Sequence, residues 1–167
     1  MQRQRRHKCA ASLQVKDDGG RALNHAQAKE PTDGLPTLAD LNCNCYYVAG
    51  VVGEMLPEFF CDHSPEAAAN GAHLRRLSVS FGQGLQMTNI LKDIWEDRHR
   101  DACWLPRDIF RKEGYDLARN GPNNTDPAFL RGLGVLIGVT HGHLQRAVEY
   151  TLFLPENQSG IRKFCLW

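Results

Sequence analysis

Gln86, Asn89, Asp93 and Asp97 recur at steps of three, four and four residues within GLQMTNILKDIWEDRHR, residues 84–100. At 3.6 residues per turn those steps keep all four polar side chains on one helix face. Leu85, Met87, Ile90, Leu91, Ile94 and Trp95 take the remaining faces, so much of this helix is expected to be buried. A buried amide needs hydrogen-bond partners, and a buried carboxylate needs a cation or several donors. Asp93 and Asp97 stand about 6 Å apart along a helix axis and repel unless something positive lies near them. Arg or Lys would serve. So would Mg²⁺, a hard ion that prefers oxygen ligands and commonly bridges carboxylates to phosphates. The alternative is a solvated face on which Glu96 pairs with Arg100 at i,i+4.

The elements that must carry these residues are helical. No alternating strand pattern occurs anywhere in the chain, and the fold class expected is all-α. Thr37 is an N-cap candidate, with Asp40 three residues on adding negative charge to the first turn. A helix is expected from there to about Cys61, with Pro57 a kink or stop. Ala67 to Arg98 reads as a second long helix. A short one follows near Arg107–Glu113, and Phe129–Leu152 forms a third long one with Asp126 as a cap. Residues 1–36, with Asp17, Asp18, Gly19, Gly20, Pro31, Gly34 and Pro36, lack sustained periodicity. They are expected to be a weakly ordered N-terminal segment, with one short helix around Arg21–Lys29. Residues 37–167 form the helical domain.

Bulk properties narrow the function classes. The 167 residues suffice for a core, and 42% hydrophobic with 23% charged residues is ordinary for a soluble protein. A net charge of +1 gives no basis for a nucleic-acid partner. No run approaches the ~18 apolar residues of a membrane span, and the basic N-terminus has too short an apolar part for a signal peptide. Six scattered cysteines match neither a zinc spacing nor a disulfide framework. A cytoplasmic protein with reduced thiols fits, and peripheral membrane association stays open. His141 and His143 are two apart and point to different faces of a helix, as do Cys43 and Cys45; neither pair has metal-ligand geometry. Arg98, His99 and Arg100 could contact a phosphate or form a solvated helix end.

In YYVAGVVG, Ala49 and Gly53 are four apart with Gly50 beside them, and Ser78, Gly82 and Gln86 repeat that spacing on the helix bearing the aspartates. A helix-interior glycine costs roughly 1 kcal/mol relative to alanine, so these positions need close approach, either of a neighbouring helix or of a ligand chain. We expect Ala49 and Gly53 to face the Gly82 and Gln86 side, the joint face of the two helices lining an apolar groove beneath the aspartates.

CYYVAGVVGEML, GLQMTNILKDIWED and WLPRDIF, in this order, together resemble the squalene/phytoene synthase family of head-to-head prenyl transferases. The final LPENQSGIRKFCLW is similar to the bacterial squalene-synthase branch. The resemblance covers about Leu35 to Trp167. It implies an incomplete α-helical bundle of the isoprenoid-synthase type. In such a bundle, Mg²⁺ held by two aspartate motifs binds the diphosphates of two prenyl diphosphates, here farnesyl diphosphate. One diphosphate is ionised, and the allylic cation is attacked by the other substrate's double bond to give a cyclopropyl intermediate. Squalene-forming members then reduce that intermediate with NADPH. Asp93 and Asp97 match the second aspartate motif as catalytic metal ligands, with Asn89 joining the metal set. Gln86 and Asn89 match polar positions at the diphosphate. Tyr47, Ala49, Gly53 and Gly82 match positions along the prenyl chain.

Three departures bear on function. Nothing matches the family's first aspartate motif upstream of YYVAG. Asn44 stands where a tyrosine usually contributes to the reaction centre, and DACWLP replaces the usual GR before the aromatic-LP step. The sequence is therefore expected to be one part of a synthase with little or no activity alone, the first motif coming from a second polypeptide. The alternative is a non-catalytic helical remnant or an interaction subunit pairing with a full-length synthase.

Overall fold

The computed structural model describes residues 31–166, and every regular element among them is helical. In chain order these are α1 (Leu38–Cys45), a π-helical turn (Tyr46–Gly50), α2 (Val51–His63), α3 (Pro65–Ala69) and α4 (Gly71–Lys92). They are followed by α5 (Ile94–His99), α6 (Arg107–Lys112), α7 (Leu117–Asn120), α8 (Pro127–Leu152) and α9 (Ser159–Leu166). The all-α expectation holds. The helix proposed around Arg21–Lys29 lies outside the described residues.

Two helix starts follow the sequence rules closely. Thr37 Oγ1 accepts from Asp40 N at 3.2 Å while Asp40 Oδ2 accepts from Thr37 N at 3.0 Å, a reciprocal cap with aspartate in the usual glutamate place. Asp126 Oδ1 accepts from Ala128 N at 2.7 Å and opens α8. The expected continuous helix from Ala67 to Arg98 is instead broken twice. Asn70 leaves helical geometry at φ −99°, ψ 8° and sends Nδ2 to Phe153 O at 2.9 Å. Asp93 does so at φ −96°, ψ 11°. Asn and Asp both compete with their own backbone for hydrogen bonds. Pro57, expected as a kink or stop, is buried inside α2, which runs on to His63.

The described residues divide into two compact units, residues 31–43 with 93–133, and residues 44–92 with 134–166. In the first, Phe110, Tyr115 and Phe129 form the aromatic centre, with Phe110–Phe129 stacked at 5.1 Å and Tyr115 edge-on to Phe129 at 5.3 Å. Residues 31–36 are tied to this unit by Cys103 N donating to Pro31 O, Leu35 N to Leu105 O, and Arg107 N to Leu35 O. Gly34 permits that strap. Its φ is +87°, and a Cβ there would stand 2.7 Å from Leu105 O.

In the second unit Phe60, Ala67, Leu74, Leu77, Phe81, Ala147, Tyr150, Leu154 and Cys165 make one core. α9 is held to the end of α8 by Arg162, whose Nε and Nη2 donate to Leu154 O at 3.0 and 2.6 Å. Burial pushes the Cys45 thiol up to about 12 and the Cys165 thiol up to about 11, and it raises the Tyr150 phenol as well. The fold thus favours the protonated forms. Their contribution to stability is complete below the unfolded thiol value near pH 9 and is lost as pH rises through the folded values. The melting temperature is expected to fall between pH 9 and 11, and Cys165→Ala should flatten that fall. An unchanged pH slope in Cys165→Ala would show that this thiol does not contribute.

Candidate functional site

The two units present different chemistry. In the second, α2 and α4 meet backbone to backbone. A Cβ on Gly53 would lie 2.2 Å from Ser78 O, and one on Gly82 would lie 2.2 Å from Ala49 O. Going back four residues on the α2 side advances four on α4, so the two helices run antiparallel. Ala49 and Gly53 do face Gly82, as the small-residue spacing requires. At these two Cα atoms the neighbour is protein backbone, so both glycines act by setting the helix separation.

With one face of α2 locked onto α4, the opposite face carries Val48, Val51, Val52, Met55 and Phe59, all exposed, Met55 at 62% and Phe59 at 58%. The steps between residues 48, 52, 55 and 59 are four, three and four, a single apolar stripe. Small residues at 49, 50 and 53 interleaved with large apolar ones are the signal that could have revealed it from sequence. The antiparallel register puts the Tyr46 end of this stripe toward the Gln86 end of α4. There Tyr46 Oη donates to Glu54 Oε2 at 3.0 Å, and the Tyr47 ring sits edge-on to Tyr46 at 5.4 Å. The π-helical turn at Tyr46–Gly50 is the form of helix irregularity that recurs at functional sites. Gln86 is half-buried and Asn89 exposed.

In the first unit, Asp97 N donates to Asp93 O at 2.8 Å, so the two aspartates stand one turn apart on one face. Asp93 is half-exposed, while Asp97 is buried at 7%. The Asp97 carboxylate is paired through Oδ1 with Arg100 Nη2. The pair considered from spacing was Glu96 with Arg100; the structure selects Asp97 because α5 ends at His99 and the chain turns at Arg100. Arg100 N and Ala102 N both donate to Asp97 O at 2.9 Å, and Asp101 takes a positive φ of 56° to close this turn. Arg98 donates to Pro122 O, and a ring nitrogen of His99 meets Trp95 O. The Arg98–Arg100 cluster is therefore largely a tied helix end.

The carboxylates of Asp93 and Asp97 and the carboxamide of Asn89 are hard oxygen donors of the kind Mg²⁺ takes. Among the described residues no group of three or more His, Cys, Asp or Glu stands together to hold a metal. Asp93 and Asp97, one turn apart on one face, are two such donors.

The squalene/phytoene synthase family profile matches residues 6–167, nearly the whole chain. The chain belongs to the squalene/phytoene synthase family. The match starts well before Leu35, so the family relationship extends into the segment the sequence blocks left out. Relatives include the squalene synthase of Schizosaccharomyces pombe, 35% identical over 157 residues, covering 90% of this chain and 33% of that protein. The squalene synthase of Ganoderma lucidum is 30% identical over 153 residues, covering 84% of this chain and 32% of that protein. The phytoene synthase of Thermus thermophilus is 39% identical over 83 residues, covering 50% of this chain and 26% of that protein. This squalene/phytoene synthase family chain thus spans a quarter to a third of the length of these curated relatives. No described helix is long and apolar enough to cross a membrane.

Proposed function

We propose that this chain supplies one part of a prenyltransferase that condenses two prenyl diphosphates head-to-head in isoprenoid biosynthesis, farnesyl diphosphate being the substrate. The observation that carries this is the outer face of α2. Five exposed apolar side chains in register form a surface for a prenyl chain, on a helix glycine-locked to the one bearing Gln86 and Asn89. Tyr47 and Ala49 lie at the same end of that helix as those polar groups. Gln86 and Asn89 are assigned to diphosphate oxygens, and Asn89, Asp93 and Asp97 to Mg²⁺. The metal, when bound, neutralises charge developing on the leaving diphosphate. A second polypeptide, or the remainder of a longer chain, is assigned the first aspartate motif. NADPH is needed only if the product is squalene.

Calorimetry with Mg²⁺ and a non-hydrolysable farnesyl diphosphate analogue tests this. Losing an apolar side-chain contact of methionine size is worth about 1.5–3 kcal/mol. Met55→Lys should therefore weaken the analogue by about tenfold or more and leave inorganic pyrophosphate unaffected. An unchanged analogue affinity would remove α2 as the tail surface. Binding that survives Asp93→Ala plus Asp97→Ala would remove the metal assignment. The second reading, an interaction subunit, is favoured by the same stripe if a protein helix covers it. No analogue binding, with a stable complex formed on mixing with a full-length synthase of the family, would establish that reading instead.

A further inference from the structure

We propose that Asn120–Gly121 is a site of spontaneous backbone modification, and that its product unties the aromatic centre of the first unit. The chain has two Asn–Gly pairs, Asn70–Gly71 and Asn120–Gly121. A glycine after asparagine leaves its own amide nitrogen unhindered, so that nitrogen can attack the asparagine carboxamide. The two pairs sit in contrasting surroundings, and neither belongs to the prenyl site assigned above.

Asn120 is exposed at the end of the one-turn helix α7, and its carboxamide has no hydrogen-bond partner among the described residues. A Cβ on Gly121 would meet nothing within 4 Å, so the approach to the carboxamide carbon is open. The attacking nitrogen is held by one bond, Gly121 N to Leu117 O at 2.9 Å, the last bond of a four-residue helix. A terminal bond of this kind opens far more often than the fold as a whole. Asn70 is the opposite case. Its Nδ2 is committed to Phe153 O at 2.9 Å. Gly71 is buried, and a Cβ there would stand 3.2 Å from Cys61 Sγ. Attack at that pair requires the second unit to open.

The reaction consumes only water. The Gly121 nitrogen bonds to Cγ of Asn120, the Cγ–Nδ2 bond breaks, and the amide proton leaves with Nδ2 as ammonia. Water then opens the resulting five-membered imide at either carbonyl. One opening gives aspartate. The other gives isoaspartate, whose main chain runs through Cβ and Cγ and is one methylene longer. That longer link falls directly before Gly121, whose carbonyl accepts from Tyr115 Oη at 2.6 Å, and before Pro122, whose carbonyl accepts from Arg98. Tyr115 is 3% exposed and stands edge-on to Phe129. Displacing Gly121 O leaves a buried phenol unpaired, which destabilises the unit. The aspartate product keeps the backbone length and the Tyr115 bond with it.

The test incubates the full chain in mildly alkaline buffer and follows the peptides bearing Asn120 and Asn70 by mass spectrometry. Isoaspartate is counted separately, as the methyl acceptor of an isoaspartyl methyltransferase. In the folded chain Asn120 is expected to convert about tenfold faster than Asn70 or more, and in denaturant the two rates should converge. The isoaspartate form, separated by ion exchange, should melt several degrees below the fresh chain. Asn120→Asp should melt with wild type. The proposal is overturned if Asn120 converts no faster than Asn70 in the folded chain, or if the isoaspartate form melts with the fresh chain. An equal loss of melting temperature in Asn120→Asp would assign the effect to the new charge and overturn the role of the longer backbone.

Discussion

Gly82→Ala is expected to lower the melting temperature by about 2–8 °C, the largest effect foreseen for a one-methyl change in this chain. The added Cβ would stand 2.2 Å from Ala49 O and 2.6 Å from Ala49 C, both backbone atoms that no side-chain rotation can move. Helices α2 and α4 would have to separate by about an ångström along the contact that sets their register. Overpacking of this sort costs about 1–3 kcal/mol and sometimes more. It is offset by at most ~1 kcal/mol from alanine's better helix propensity. The net loss, about 1–2 kcal/mol, corresponds to several degrees in a chain of this size. Gly53→Ala meets Ser78 O at the same 2.2 Å and should behave alike. The control is Gly138→Ala on α8, where a Cβ would meet nothing within 4 Å; only the propensity gain remains, and its melting temperature should be unchanged or higher. Equal shifts in Gly82→Ala and Gly138→Ala, measured by thermal circular dichroism, would show that close approach is not what the α2–α4 glycines serve.

The purified 167-residue chain, incubated with farnesyl diphosphate, Mg²⁺ and NADPH, is expected to yield no squalene or related condensation product. Ionising an allylic diphosphate requires stabilisation on both sides of the leaving group. Loss of even one preorganised donor costs about 10²–10³ in rate. The described residues offer two carboxylates one turn apart, Asp93 and Asp97, and no cluster of three. The apolar stripe on α2 is open to water, which captures a carbocation before a second prenyl group can. Asn44, where the family carries a tyrosine, presents no aromatic face to a cation. Extraction and mass spectrometry give the readout. Clear turnover by the monomeric chain would mean that the missing carboxylate motif is dispensable here. Turnover that appears only when a polypeptide carrying that motif is added would support the division of labour proposed for the two parts.

Much of the fold was legible because it depends on short-range rules. The Thr37–Asp40 cap, the Asp126 cap and the extents of α6 and α8 follow from residues within a few positions of one another, where side-chain oxygens satisfy the first amides of a helix. The breaks at Asn70 and Asp93 were not legible. A polar residue in a periodic apolar run is compatible with a continuing helix until a distant partner competes for it, as Phe153 O does for Asn70.

The amino-acid sequence by itself determined the all-α class, the family, and the single face shared by Asp93 and Asp97, since each rests on composition, local periodicity or ordered motifs. It also carried the small-residue spacing of Ala49, Gly53 and Gly82, but left open whether helix or ligand fills it. Only the tertiary structure decided that, because the answer is the position of Ser78 O and Ala49 O on neighbouring segments. Tertiary structure likewise chose Asp97 over Glu96 as the partner of Arg100. Spacing allows both ion pairs, but burial raises the need for a counter-charge only at Asp97, and the turn after α5 brings the guanidinium to that carboxylate.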